Sequence, residues 1–135
     1  MDAVIDIPCD IWIPAARPDV IHADNVARLQ TRLVAQGANI PCSMEAEQAL
    51  AARGVLVLPD FIANAGGVIC AAIEYRDGTE GATLALIAER IRANTEAVLD
   101  EVRRTGALPR TAAVSLATER VRRAMRTRRW DATAG

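Results

Sequence analysis

Not one lysine occurs in the 135 residues, because all 16 basic side chains are arginines. Arginine stays protonated at any useful pH, so the chain holds no side-chain amine that can accept a proton. That excludes a whole class of amine chemistry. The formal net charge of -1 gives no field that would draw in nucleic acid or an anionic membrane. No apolar run approaches the roughly 20 residues a membrane span requires. The first ten residues carry acids and no basic residue, unlike a secretory signal. Histidine occurs once, as His22, and the three cysteines, Cys9, Cys42 and Cys70, have no metal-type spacing. They read as reduced thiols of a cytoplasmic protein, packed as small hydrophobes or lying in loops. A nucleophilic cysteine would need His22 beside it.

What is present is apolar. Half of the residues, 51%, are hydrophobic, which predicts one folded domain with a genuine core. Residues 5–16 form a β-rich run ended by Pro14, suited to a buried parallel strand that opens onto a crevice. Asp24 is placed to cap a short helix over 25–32, with Val26 and Leu29 inward. A second strand is expected over 32–36, stopping at Gly37-Ala38-Asn39. Ser43 with Glu45, Glu47 and Gln48 then favours helix initiation, and Gly54 terminates that helix. Residues 55–58 read as a third buried strand. Alternation of strand and helix is the pattern of a parallel sheet with covering helices.

Beyond Asn64 the pattern becomes helical. Gly66-Gly67 opens an apolar helix over 68–75, and 76–81 form a polar break. A long amphipathic helix is expected over 82–104, with Leu84, Ile87, Ile91, Val98 and Val102 at three- and four-residue spacings. A last helix, over 111–128, would turn Ala113, Leu116, Ala117, Val121 and Met125 inward. Residues 130–135 read as a frayed tail. The arginines between 120 and 129 read as a solvated helix face near a C-terminus rather than a nucleic-acid site. The expected divisions are an α/β segment at 1–80, a helical segment of the same domain at 81–129, and the tail.

Four segments fall in a telling order. They are Cys9-Asp10-Ile11-Trp12-Ile13-Pro14-Ala15-Ala16, then Val34-Ala35-Gln36-Gly37-Ala38-Asn39-Ile40-Pro41, then Gly54-Val55-Leu56-Val57-Leu58-Pro59-Asp60, and Ile62-Ala63-Asn64-Ala65-Gly66-Gly67-Val68. Together with Arg110-Thr111-Ala112-Ala113 they resemble the glutamate/leucine/phenylalanine/valine dehydrogenase family over essentially the whole chain. The resemblance implies an α/β fold: the second half of a Rossmann-like, doubly wound parallel sheet of about three strands, followed by C-terminal helices. In such sheets ligands sit beyond the carboxyl ends of the strands, where Ala15, Ala16, Asn39 and Asn64 lie. Each has a purely structural reading too. Pro14-Ala15-Ala16 makes a tight strand exit, Asn39 after a glycine suits a left-handed turn, and Asn64 suits a helix cap. Counted with the resemblance, these four become candidate cofactor contacts. Small residues admit the cofactor backbone, and an amide both donates and accepts.

The resemblance also implies a reaction, the reversible oxidative deamination of an L-amino acid to a 2-oxo acid, with hydride passing to NAD or NADP. In the family one lysine holds the substrate carboxylate and another activates water beside an aspartate, all from a separate N-terminal domain. Those lysines have no counterpart here, nor does the Gly-x-Gly-x-x-Gly loop that cradles pyrophosphate. The expectation is a C-terminal cofactor-domain segment, inactive alone, with no catalytic residue, metal, nucleic-acid or membrane partner of its own. Val68 and the residue three positions later face the substrate side chain in the family. Glutamate-specific members have serine at the later position, whereas Ala71 stands here and cannot hydrogen-bond a γ-carboxylate. The rival expectations are a free-standing module that self-associates through a sheet edge, and an independent nucleotide binder.

Overall fold

Residues 3–75 and 79–127 are described by a computed structural model, and a parallel sheet organises them. Its strands are β1 (Ile11–Trp12), β2 (Leu33–Ala35) and β3 (Leu56–Leu58), adjacent in that order. Ile11 pairs with Leu33, and Leu33 in turn with Leu56. Parallel neighbours need a crossover, and α1 (Met44–Ala52) supplies the one between β2 and β3. Ser43 caps it as expected, its side chain accepting the Ala46 N–H at 3.2 Å. Gly54, at φ 77°, turns the chain out of the helix and into β3.

The first predicted strand contracts to two residues. Pro8 and Pro14 lie inside the run, and neither has an N–H to give the ladder. Its N-terminal part is instead a 3-10 turn, Ala3–Asp6, that buries Ile5. The expected helix at 25–32 is likewise a single 3-10 turn, Val26–Arg28, after which Leu29 is extended. Asn25, not Asp24, occupies its cap. The Asn25 side chain is buried and spent on the loop, accepting the His22 N–H and donating to the Val20 carbonyl, both at 2.9 Å. Val26, Leu29, Val34, Ala46, Leu50 and Val57 nonetheless join Ile21 in one core beneath the sheet.

Four helices follow β3 among the described residues: α2 (Asp60–Ala63), α3 (Gly66–Glu74), α4 (Glu80–Thr105) and α5 (Pro109–Thr127). The one-turn α2 was not anticipated. Ile62 from it meets Val98 of α4 and Ala112 and Ala113 of α5 in a second, smaller cluster. Gly106, at φ 70°, caps α4 by donating its N–H to the Val102 carbonyl at 2.8 Å. Four inward assignments fail. Leu84 is exposed, as are Ala117, Val121 and Met125, because α5 packs through its first two turns and its remainder projects beyond the cluster. The predicted tail at 130–135 lies outside the described residues.

Candidate functional site

Two connections leave the carboxyl ends of β1 and β2 side by side. The one after β1 runs through Pro14, Ala15 and Ala16, and the one after β2 through Gly37, Ala38 and Asn39. Backbone bonds join them: Ala38 N–H donates to the Pro14 carbonyl at 2.8 Å, Asp19 N–H to Ile40 at 2.9 Å, and Val20 N–H to Pro41 at 2.8 Å. Gly37 marks their closest approach. A Cβ there would lie 3.0 Å from the Ala15 Cβ and 3.4 Å from the Ala15 Cα. Crowding by Ala15 therefore explains this glycine. Ala15 and Ala16 are both exposed, beside a cleft of about 250 Å³ also lined by Trp12 and Pro14. A cleft that size takes part of a ligand rather than a whole dinucleotide.

The two candidate asparagines meet. Asn64 Nδ2 donates to Asn39 Oδ1 at 2.8 Å. Asn64 ends α2, and no side chain caps α3, so the cap reading of its amide does not hold. Nor is Asn39 the left-handed residue of its turn. That conformation falls on the next one, Ile40, at φ 47°. A β-branched side chain there is a genuine outlier and costs about 1–3 kcal/mol. Something must hold it, and the Ile40 N–H donates to Asp60 Oδ2 at 2.9 Å.

Asp60 belongs to a buried knot of charge. Arg110, in the first turn of α5, donates Nε to both oxygens of Glu47 at 2.9 Å. Its Nη2 reaches Glu47 Oε1 at 2.7 Å, Gln36 Oε1 at 3.0 Å and Asp60 Oδ1 at 3.1 Å. Gln36 Nε2 donates to Glu47 Oε1 at 2.6 Å, and the Phe61 ring lies 5.5 Å from the guanidinium carbon. Burial pushes the Asp60 carboxyl up, but the Ile40 N–H, the Arg110 charge and hydrogen bond, and the Phe61 N–H outweigh it and hold it below the ordinary value. The hydrogen bond that Arg110 donates to Glu47, with the two carboxylate charges adding to it against burial, holds Arg110 above its ordinary value. Gln36, Glu47 and Asp60 are buried. Among the described residues no buried side-chain nitrogen or oxygen lacks a partner.

Sequence reasoning did not single out this knot. Glu47 reads as a dipole-favoured residue of a helix start, and Asp60 as a strand exit. The usable signal was Arg110, a cation in the first turn of a helix, where the dipole disfavours it. The remaining candidates, Val68 and Ala71, lie three residues apart on α3, both exposed. Gly66 faces Ile87 of α4, whose Cγ2 would be 3.5 Å from an added Cβ, while nothing lies within 4 Å of one at Gly67. Only Gly67 therefore faces open space. Cys42 is buried, and burial, with the Glu47 charge adding to it against Arg110, pushes its thiol up to about 12. His22 contacts Asn25, its Nε2 3.0 Å from Asn25 Nδ2, and Asp24, its Nδ1 3.7 Å from the carboxylate. No helix among the described residues is long and apolar enough to cross a membrane.

Comparison with known proteins agrees with the architecture. The family model described as glutamate/leucine/phenylalanine/valine dehydrogenase matches residues 1–129. A glutamate dehydrogenase of Aeropyrum pernix is 36% identical over 137 residues, spanning 94% of this chain and 33% of its own. An NADP(+)-dependent glutamate dehydrogenase of Pyrobaculum calidifontis is 41% identical over 130 residues, spanning 90% of this chain and 30% of its own. The crystal structure of L-tryptophan dehydrogenase from Nostoc punctiforme superposes with a TM-score of 0.83 at 25% identity, over 92% of this chain and 38% of that one. The chain thus spans about a third of the length of the curated relatives it matches.

Proposed function

This chain belongs to the glutamate/leucine/phenylalanine/valine dehydrogenase family, and from that premise we propose that it forms the nicotinamide-side wall of an NAD(P)-dependent amino-acid dehydrogenase and does not turn over alone. The Asn39–Asn64 pair carries the reading. Their mutual bond uses one acceptor and one donor, whichever way the two amides are turned. One amide oxygen and one amide nitrogen remain for a ligand, the complement of a primary carboxamide such as that of nicotinamide. Ala15 and Ala16 are exposed and small enough to admit the ring or ribose closely. The residues fit the group. When bound, a nicotinamide supplies the hydride acceptor or donor of the family reaction.

What this chain does is orient. Asn39 and Asn64 would fix the carboxamide, and Val68 and Ala71 would line the substrate side chain. A lysine-free chain has no group to hold the substrate carboxylate or to activate water in the family's manner, which is the basis for proposing inactivity. Ala71 favours an apolar side chain over a γ-carboxylate. Residues 1–80 would then be part of the nucleotide-binding unit of a cytoplasmic enzyme, with 81–129 as helices of the same unit. Saturation-transfer NMR with NADPH tests this. The nicotinamide protons should receive more saturation than the adenine protons, and NADPH should survive added 2-oxoglutarate and ammonium. Adenine-dominated transfer, or NADPH loss above background, would sink the respective half of the proposal.

A second reading has an observation of its own. Among the described residues β1 has β2 as its sole ladder partner, and Ile11 on it and Ile13 directly after it are exposed. An apolar open edge invites pairing with a second copy of the chain.

A further inference from the structure

We propose that Arg110 is a positioning residue for the two cofactor-facing asparagines, acting through Asp60 from the first turn of α5. The inference rests on the reading of Asn39 and Asn64 as the nicotinamide wall and adds the device that sets their geometry.

Asp60 is the bracket between them. Its Oδ2 accepts the N–H of Ile40, the residue directly after Asn39, at 2.9 Å. Its main-chain carbonyl accepts the N–H of Asn64 at 2.7 Å. One residue thus holds the backbone beside the first asparagine and the backbone of the second. Its remaining carboxylate oxygen, Oδ1, is taken by Arg110 Nη2 at 3.1 Å. The two oxygens divide the work, one toward the helix and one toward the loop.

Ile40 shows that the loop needs holding. A β-branched residue at φ 47° relaxes out of the left-handed region unless its surroundings oppose that. Its N–H is anchored to an ionised carboxylate, a stronger acceptor than a neutral oxygen. Swinging the Asp60 carboxylate away would release Ile40 and turn the peptide that carries Asn39.

Arg110 is what stops the swing. A cation in the first turn of a helix opposes the dipole, so its place is not explained by α5 itself. Glu47 alone would neutralise it, through bonds at 2.7 and 2.9 Å. The guanidinium nevertheless spans both carboxylates and Gln36, a reach that its planar fork permits and a point charge does not. Phe61, next to Asp60, lies against the same guanidinium. The knot therefore ties α5 to the exits of β2 and β3 together, and a shift of α5 would be read out at the Asn39–Asn64 bond.

The test uses the ¹⁵N-labelled chain and two variants, Arg110→Gln and the double change Arg110→Gln with Glu47→Gln. The double change leaves no uncompensated Glu47 charge and serves if the single one fails to fold. In whichever variant folds, the Ile40 backbone amide and the Asn64 side-chain amide signals should move. Their hydrogen exchange should quicken by roughly tenfold more than that of the amides in β2 and β3. A merely structural staple would loosen all of these in proportion. Unmoved Ile40 and Asn64 signals, or a uniform loosening, would overturn the positioning role. Titrating wild-type chain with nicotinamide mononucleotide separates this from the parent reading. Perturbation at Asn39 and Asn64 supports the nicotinamide wall, and its absence at millimolar ligand overturns that wall while leaving the Ile40 result to stand by itself.

Discussion

At the scale of single residues, Asp60 joins stability to the site. Its carboxyl sits below the ordinary value near 3.8, so between the lowered folded pKa and that value the folded chain binds fewer protons there than the unfolded one. The contribution is fully present above the unfolded pKa and is lost as pH falls through the lowered folded pKa. Urea unfolding from pH 7 down to pH 3 should show stability declining below about pH 4, and Asp60→Asn should flatten that decline. An unchanged acid limb in the variant would place the titrating group elsewhere. Asp6 and Glu45 are lowered too, but both are exposed: Asp6 through its solvent-screened bond to Arg28, and Glu45 through backbone and Ser43 hydrogen bonds at the start of α1. This residue also shows how far a sequence can be read. Asn39 and Asn64 were singled out by the family resemblance at a strand end and a helix entry, since each alone reads as well as a turn or a cap. Asp60 was not, since its meaning depends on Arg110, 50 positions away. The left-handed conformation was expected at Asn39 on residue preference alone, and tertiary contact through Asp60 moved it to Ile40.

At the scale of elements, the helices were readable wherever a local stop signal existed. Gly106 is one. Its φ of 70° lets the chain leave α4 and enter α5 within three residues, and nothing lies within 4 Å of an added Cβ. Gly106→Ala should therefore act through the backbone alone, costing about 1–2 kcal/mol. Thermal unfolding would register that as a lower Tm, whereas an unchanged Tm would mean the cap does not constrain the hairpin of α4 and α5. Ser43 and Gly54 bound α1 in the same local way. The short elements were harder. β1 keeps two residues of a twelve-residue apolar run because prolines at 8 and 14 deny it ladder donors. The 3-10 turn Val26–Arg28 and the single turn of α2 carry too few residues for any periodicity to show. Amphipathic spacing also over-assigned the core. Val121 and Met125 follow the helical period of α5, yet both are exposed.

At the scale of the whole molecule, two packed clusters coexist with an open edge. The sheet core is complete around Val34 and Leu50, and the smaller cluster around Val98 fastens α5 across α2. Outside both, Ile11 on β1 and Ile13 directly after it are more than half in water, as is Ile7 upstream of the strand. Single exposed aliphatics are ordinary, but an exposed isoleucine on a strand with one ladder partner among the described residues, with two more isoleucines flanking it in sequence, makes a surface that water tolerates poorly. A second copy meeting this edge would extend the ladder and bury the isoleucines at once. Sedimentation equilibrium should then show a monomer–dimer balance that moves with concentration. Ile11→Lys should shift it to monomer, because a charge on an edge strand resists pairing at little expense to the fold. Unfolding of the variant followed by circular dichroism checks that last point. A chain that stays monomeric at every concentration would sink edge pairing. A dimer that survives Ile11→Lys would move the contact to the exposed face of α5, where Val114, Val121 and Met125 lie.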